Sequence, residues 1–132
     1  MKEPVWLRVE ALKAIHKRLV AEHGGIADIR DEGLLESALA RPRNQLAYGE
    51  TPSIAALAAS YGFGIARNHP FVDGNKRAAF TAIAVFLRVN GHRFASDKMD
   101  ALQTVMLLAA GEVSEADLAD WIAANTTPRC EA

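Results

Sequence analysis

The segment from Ala78 to Leu87 is the feature of this sequence that most limits how the chain can fold. Its ten residues are apolar apart from Thr81, and they lie between Arg77 and Arg88. A helix that is apolar on nearly every face is typical of the centre of a bundle. The segment is about half as long as the roughly 20 residues that a helix needs to cross a bilayer. It therefore predicts a buried helix and no membrane span.

Apolar residues elsewhere recur at helical spacing, and no segment shows the sustained period-two alternation of a half-buried strand. This spacing predicts a first helix from about Trp6 to Glu22, ended by Gly24-Gly25. Asp31 is a candidate N-cap for a second helix, which Pro42 is expected to stop. The polar stretch 42–51 is then expected to be an exposed loop or flap.

Four more helices are predicted downstream. The third starts with Thr51 as N-cap and Pro52 in its first turn, and the fourth starts at Gly74 or Asn75. Asp97 is expected to cap the fifth, and Ser114, three residues before Asp117, to cap the sixth. In the fifth helix the residues predicted to face inward are Met99, Leu102, Val105, Met106 and Ala109. We therefore expect an all-α fold, a single domain over residues 1–132 with about six helices around a buried central fourth helix.

Composition excludes several classes of protein. The chain has 132 residues and a net charge of −1, which gives no support to nucleic acid or an anionic membrane as the main partner. One cysteine, Cys130, cannot form a disulfide framework within the chain, and the N-terminus lacks the apolar stretch of a signal peptide. We therefore expect a cytoplasmic protein with no membrane contact.

Residues 69–77 differ from the rest of the chain because they concentrate polar chemistry between two apolar helices. The predicted helix start near Gly74 and Asn75 presents free backbone N–H groups that attract phosphate. Lys76 and Arg77 occupy a first turn where the helix dipole disfavours cations, which indicates an anionic ligand. Asp73 offers the oxygen ligands that Mg²⁺ uses beside nucleotide phosphates. His69 is a candidate general base that could remove a proton from an attacking hydroxyl group.

These nine residues, His69-Pro70-Phe71-Val72-Asp73-Gly74-Asn75-Lys76-Arg77, resemble the Fic/Doc superfamily signature His-x-Phe-x-(Asp/Glu)-x-Asn-(Gly/Lys)-Arg. The lysine form is similar to the Doc, or death-on-curing, branch. The similarity extends to Ile15-His16, His23-Gly24-Gly25, the segment from Arg30 to Leu39, Asn90-Gly91 and Ala110-Gly111.

The resemblance implies a mostly helical bacterial toxin of a toxin–antitoxin pair that uses ATP and Mg²⁺. It implies that His69 is the base for a target hydroxyl and that Asp73 holds Mg²⁺. Asn75 and Arg77 would bind nucleotide phosphates, together with Gly74 and Lys76 at the same helix start. The expected catalytic residues are thus His69, Lys76 and Arg77.

The resemblance leaves two reactions open. Fic proteins proper have glycine at the position of Lys76, where it opens an anion hole for an adenylating ATP. Doc toxins with lysine resemble kinases that phosphorylate a threonine of elongation factor Tu and stop translation. We favour phosphorylation for two reasons. Lys76 should fill the anion hole, and Phe80 stands where many Fic proteins carry a second arginine. Pro70 and Gly74 are more similar to Fic, which keeps adenylylation as the alternative.

A Fic inhibitory helix resembles (Ser/Thr)-x-x-x-Glu-(Gly/Asn), and residues Thr127 to Glu131 match it only partly because Ala132 follows. We therefore expect inhibition in trans, by an antitoxin whose disordered tail folds as a helix into an apolar groove. A catalytically inactive binding module is the other alternative.

Phe71 is expected to be a core anchor, and His16, His23 and His92 to be structural or surface residues. The remaining polar residues near the predicted flap and motif have no role fixed by the sequence. They are Arg41, Arg43, Tyr48 and Arg67.

Overall fold

The computed structural model describes residues 3–48 and 52–128, and over these residues it confirms the predicted all-α fold. Every predicted helix is present within this range, accompanied by a two-stranded sheet. The helices are α1 (Val9–His23), α2 (Glu32–Ala47), α3 (Ile54–Asn68), α4 (Asn75–Val89), α5 (Lys98–Ala109) and α6 (Glu115–Ala124).

The core is continuous and takes residues from all six helices. Helix α4 is buried as predicted, but it shares the centre of the bundle with α3, which packs against α2, α4 and α6. Small residues allow this close packing: a Cβ on Gly62 of α3 would lie 2.5 Å from Ile83 Cδ1 of α4. Phe71, in the loop between these two helices, is fully buried, as its predicted role of core anchor requires.

The first helix starts later than its periodicity predicts, at Val9 and not at Trp6. Tertiary bonds hold the preceding residues in an extended conformation. Val5 N–H donates to Asn90 Oδ1 at 2.7 Å, and Leu7 N–H donates to the Tyr61 hydroxyl at 3.0 Å. The predicted end is confirmed, since Gly24 is the C-cap.

The prediction that Pro42 stops the second helix is wrong. Helix α2 continues to Ala47, and Pro42 is buried inside it. A proline inside a helix removes one backbone bond and usually ends or kinks the helix. Here later residues are held by tertiary contacts: Gln45 Nε2 donates to Glu115 Oε2 at 2.8 Å, and the Arg43 guanidinium lies 5.5 Å from the Trp6 ring centroid. The predicted flap is therefore helical up to Ala47.

Most predicted helix caps are confirmed. Asp31, Asp97 and Ser114 each accept a hydrogen bond from the backbone N–H three residues later. The third helix is the exception: its N-cap is Ser53, and Pro52 precedes the helix. Thr51, the predicted cap, lies outside the described residues.

Helix α5 presents a different face to the core than the sequence predicts. Its buried residues are Ala101, Thr104 and Leu108. Met99 is 71% exposed, and Leu102 and Met106 are each 55% exposed. The periodicity identified an apolar stripe correctly, but a neighbouring stripe of the same helix packs inward and leaves Met99, Leu102 and Met106 outside.

Two features complete the fold. Strands β1 (His92–Phe94) and β2 (Thr126–Pro128) pair antiparallel, and their three-residue length explains why no alternation predicted them. None of the helices that the structure describes is long and apolar enough to cross a membrane.

Candidate active site

The motif forms the loop between α3 and α4 and the first turn of α4. His69 is the C-cap of α3, with φ 52° and ψ 54°, and it is the one residue other than glycine with positive φ among those described. Gly74 is the N-cap of α4, with φ 79°. Left-handed residues at both ends turn the chain sharply, so residues of α3 and α4 approach each other around the loop.

The connection between α1 and α2 supports this loop along its length. Ile29 and Phe71 form an antiparallel bridge. Arg30 N–H donates to the Pro70 carbonyl at 2.7 Å, and Val72 N–H donates to the Asp28 carbonyl at 3.0 Å. The Arg30 guanidinium also donates to the carbonyls of Asn68 and His69, at 2.8 and 2.7 Å, which satisfies acceptors at the end of α3.

Asn75 fixes the position of His69. Its Oδ1 accepts from Phe71 N–H at 3.0 Å, and its Nδ2 donates to the Phe71 carbonyl at 2.9 Å. This pair determines which end of the amide is which, so Nδ2 also donates to His69 Nδ1, 3.1 Å away. In this arrangement the neutral His69 ring carries its proton on Nε2. The Asn75 side chain is buried and already makes these three hydrogen bonds. Its backbone N–H, at the start of α4, is the group that remains available to a phosphate.

Asp73 is exposed, and its carboxylate is oriented by the α1–α2 connection. Oδ2 accepts from Ile26 N–H at 2.9 Å, and a Cβ on Gly25 would lie 3.3 Å from Asp73 Cβ. The described residues hold no cluster of three or more histidine, cysteine or acidic side chains that could bind a metal by themselves. A single carboxylate suits Mg²⁺ that is held jointly by one protein oxygen ligand and nucleotide phosphates.

All six predicted site residues line one open cavity of about 1000 Å³. They are His69, Asp73, Gly74, Asn75, Lys76 and Arg77. Neither Lys76 nor Arg77 forms an ion pair with any residue that the structure describes. With Lys98, also in the lining, the cavity has three cationic side chains and one carboxylate, so it favours an anionic ligand.

The four residues without an assigned role lie outside this cavity. Arg41 forms an ion pair with Glu115 and lies over the Phe63 ring, with 5.4 Å between its Cζ and the ring centroid. Arg67 lies over the same ring at 5.3 Å. Arg43 contacts Trp6, and Tyr48 is 83% exposed. The three arginines have packing contacts in this structure.

Sequence reasoning missed the residues that hold the motif loop. His16 is only 2% exposed, stacks on Phe71 with 3.7 Å between ring centroids, and contacts the Asp73 carbonyl through Nε2 at 2.7 Å. Arg30 and Ile26 are the others. A signal was available: Ile15-His16, the glycine pair before Ile26 and Arg30-Asp31 are segments that also resemble the superfamily.

Comparison with known proteins agrees with the motif. A model of the Fic/DOC family matches residues 6–87. The protein named Protein kinase doc, from Escherichia phage P1, is 32% identical over 111 residues, which cover 84% of this chain and 87% of that protein. Toxin Doc of Mycolicibacterium smegmatis (strain ATCC 700084 / mc(2)155) is 45% identical over 76 residues, 56% of this chain and 58% of that protein. The chain therefore belongs to the Fic/DOC family.

Proposed function

We propose that this protein is the toxin of a toxin–antitoxin pair and acts as an ATP-dependent protein kinase. Its substrate would be a threonine or serine hydroxyl of a translation factor, with elongation factor Tu as the first candidate. The observation that carries the proposal is the cavity in which His69, Asp73, Lys76 and Arg77 meet at the start of α4. Within residues 3–48 and 52–128 the two cations form no ion pair. The names of the two relatives, a protein kinase and a toxin, support it.

The residues divide the work of phosphoryl transfer. The backbone N–H groups at the start of α4, with Lys76 and Arg77, bind the phosphates and stabilise the charge that spreads over the transferred group. Asp73 holds Mg²⁺, which neutralises phosphate charge when it is bound. The target oxygen forms a bond to the γ-phosphorus as the bond to ADP breaks, and the hydroxyl proton passes to His69.

Asn75 would couple nucleotide binding to the ability of His69 to accept a proton. In the described structure Asn75 Nδ2 donates to His69 Nδ1, so the neutral ring has its proton on Nε2 and cannot accept another there. A phosphate oxygen that took this N–H would release Nδ1, and the ring could then exchange tautomers and accept a proton at Nε2. Asn75 would keep its bond to the Phe71 carbonyl throughout.

Two residues favour phosphorylation over adenylylation. Lys76 lines the cavity at the position where an adenylating Fic protein has glycine. Phe80, which replaces the second arginine, also lines the cavity and packs against Phe94 with 5.7 Å between ring centroids. The cavity thus has a cation where the anion hole would be and an apolar ring where a second phosphate ligand would be.

The exposed apolar face of α5 supports an antitoxin helix as the partner. Leu102 and Met106 line the same cavity as the motif, and Met99 extends this face outward. An apolar helix face of this kind is a docking surface for an amphipathic helix. A helix bound here would cover the motif, as a neutralising antitoxin must.

The test is intact-mass analysis of elongation factor Tu after incubation with this protein, ATP and Mg²⁺, with His69→Ala in parallel. We expect a gain of one phosphate, slowed by about 10²- to 10⁴-fold in the variant because the general base is lost. Circular dichroism should show that His69→Ala remains folded. A gain of one adenylate would establish the alternative reaction. If neither elongation factor Tu nor any protein of a whole bacterial extract gained mass, the kinase proposal would be wrong and the protein would be an inactive binding module.

A further inference from the structure

His16 lies behind the motif loop, on the side away from solvent, and the proposed chemistry gives it no role. It belongs to α1, far from the motif in sequence, and its ring is parallel to that of Phe71 within 7°. Its Nε2 lies 2.7 Å from the Asp73 carbonyl oxygen. A carbonyl only accepts hydrogen bonds, so His16 donates and carries a proton on Nε2.

This bond determines the orientation of a peptide group in the phosphate-binding loop. The C=O and N–H of a planar trans peptide point in opposite directions. With the Asp73 carbonyl directed at the buried His16, the Gly74 N–H is directed away from His16. Gly74 itself lines the cavity, and its N–H has no hydrogen-bond partner among residues 3–48 and 52–128.

The conformation of Gly74 places this N–H beside those of the helix start. Gly74 has φ 79° and ψ 18°, and the helical residue Asn75 follows it. Left-handed and right-handed residues in succession direct consecutive N–H groups into one concavity, which binds anions. A Cβ at Gly74 would lie 3.4 Å from His16 Nε2, which is an ordinary contact, so it is the positive φ that favours glycine at this position.

We propose that His16 is a positioning residue that holds the Asp73–Gly74 peptide so that the Gly74 N–H binds a nucleotide phosphate. The proposal rests on the proposed use of ATP but not on which group is transferred. It predicts that removing the hydrogen-bond donor at position 16 weakens ATP binding even in protein that remains folded.

Two substitutions separate the hydrogen bond from packing. His16→Phe keeps an aromatic ring against Phe71 and removes the donor. His16→Gln keeps an N–H donor at a similar reach and removes the ring. Leu12→Ala, on the same helix and fully buried, is the control for lost stability alone. Each full-length variant is titrated with ATP and Mg²⁺ by calorimetry, at a temperature where circular dichroism shows that it is folded.

We expect His16→Phe to weaken ATP binding by about tenfold, as the loss of one bond to phosphate implies, and His16→Gln to restore most of it. Leu12→Ala should bind ATP as the unmodified protein does. Equal affinity of His16→Phe and the unmodified protein would overturn the proposal. It would also be overturned if His16→Gln bound as weakly as His16→Phe, or if Leu12→Ala lost as much affinity.

A second measurement needs no substitution. In ¹H–¹⁵N spectra of the unmodified protein titrated with ATP, the Gly74 amide should shift with the same midpoint as those of Asn75 and Lys76. A Gly74 amide that stays in place while its neighbours shift would contradict the role of His16 and leave nucleotide binding intact. ATP binding with a shifted Gly74 but no transfer to protein would support His16 and count against the kinase function.

Discussion

Gly25 and Gly24 provide a direct test of how Asp73 is held. Both residues have positive φ, 115° and 85°, so a side chain strains the backbone at either position. Only at Gly25 would a Cβ meet another group, Asp73 Cβ at 3.3 Å, whereas a Cβ at Gly24 meets nothing within 4 Å. The two glycines are therefore a matched pair that differs in contact with the proposed Mg²⁺ ligand.

We predict that Gly25→Ala and Gly24→Ala each lower the free energy of unfolding by about 1–3 kcal/mol, because alanine rarely adopts these backbone conformations. Only Gly25→Ala should raise the Mg²⁺ concentration for half-maximal phosphoryl transfer, by about tenfold, since it displaces the carboxylate. Thermal unfolding and a Mg²⁺ titration of the transfer rate measure the two effects. An equal Mg²⁺ requirement in both variants would show that Gly25 does not position Asp73.

Asn75 connects His69, the proposed base, to the motif loop through three side-chain hydrogen bonds. We predict that Asn75→Ala lowers the free energy of unfolding by about 1–3 kcal/mol, because the buried Phe71 N–H and carbonyl lose their partner. The transfer rate should fall by about 10²-fold or more, as expected when a catalytic group is misplaced. Urea unfolding and single-turnover kinetics measure these quantities.

Asn68→Ala is the control for Asn75. Asn68 Nδ2 makes one bond, to the Leu34 carbonyl at 2.9 Å, and Asn68 does not line the cavity. Its loss should lower stability by about 1 kcal/mol and leave the transfer rate unchanged. A normal rate in Asn75→Ala would mean that His69 keeps its position without the amide.

Helix α5 differs from the other helices because several of its large apolar residues are exposed, among them Met99, Leu102 and Met106. Its inward face is formed by Ala101, Thr104 and Leu108. The outer face of α5 is therefore available to a partner, whereas α3 and α4 have most of their apolar residues buried within the chain.

We predict that Leu102→Asp weakens binding of the cognate antitoxin by about 10- to 100-fold. A leucine that a partner buries contributes about 1.5–3 kcal/mol, and a carboxylate in its place adds a desolvation cost. Calorimetry with the antitoxin measures the affinity, and the phosphorylation assay without antitoxin reports any separate effect on the site. Unchanged antitoxin affinity would exclude this face of α5 as the docking surface.

At the scale of the whole molecule, hydrogen bonds tie the outer segments to the central helices and to each other. The N-terminal segment is bound to the end of α4 through Asn90 and to α3 through Tyr61. Arg41 and Gln45 of α2 contact Glu115 of α6. These contacts hold the outer elements around the α3–α4 pair that carries the motif.

Tyr61 makes the stability of the fold dependent on pH. Burial raises the pKa of its phenol above the usual value of about 10, although the Leu7 N–H and the charge of Arg43 act in the opposite direction. A pKa higher in the folded than in the unfolded state stabilises the fold below about pH 10, and this contribution is lost as the pH rises through the folded value.

We predict that the free energy of unfolding falls above about pH 10 and falls less steeply in Tyr61→Phe. At neutral pH this variant should lose about 1 kcal/mol, because the Leu7 N–H loses its acceptor. Tyr48→Phe, at the most exposed tyrosine, should follow the unmodified protein at every pH. Urea unfolding at a series of pH values measures all three proteins. Parallel pH curves for the two variants would contradict the role of Tyr61.

The sequence by itself predicted the helices, most of their caps and the residues of the candidate site, since these depend on local patterns. The apolar spacing, the N-cap side chains and the nine consecutive motif residues are each read within a few turns of chain. Gly74 and Asn75 are placed correctly because a helix start needs only its own neighbours to be recognised.

Only the tertiary structure decided where α2 ends, which face of α5 is buried and what holds the motif loop. Pro42 lies inside α2, where later residues of the helix contact Glu115 and Trp6. His16 and Ile26 reach Asp73 from 57 and 47 residues away. Periodicity states which residues share a helix face and not which face meets the core, and hydrogen bonds between distant segments leave no local pattern.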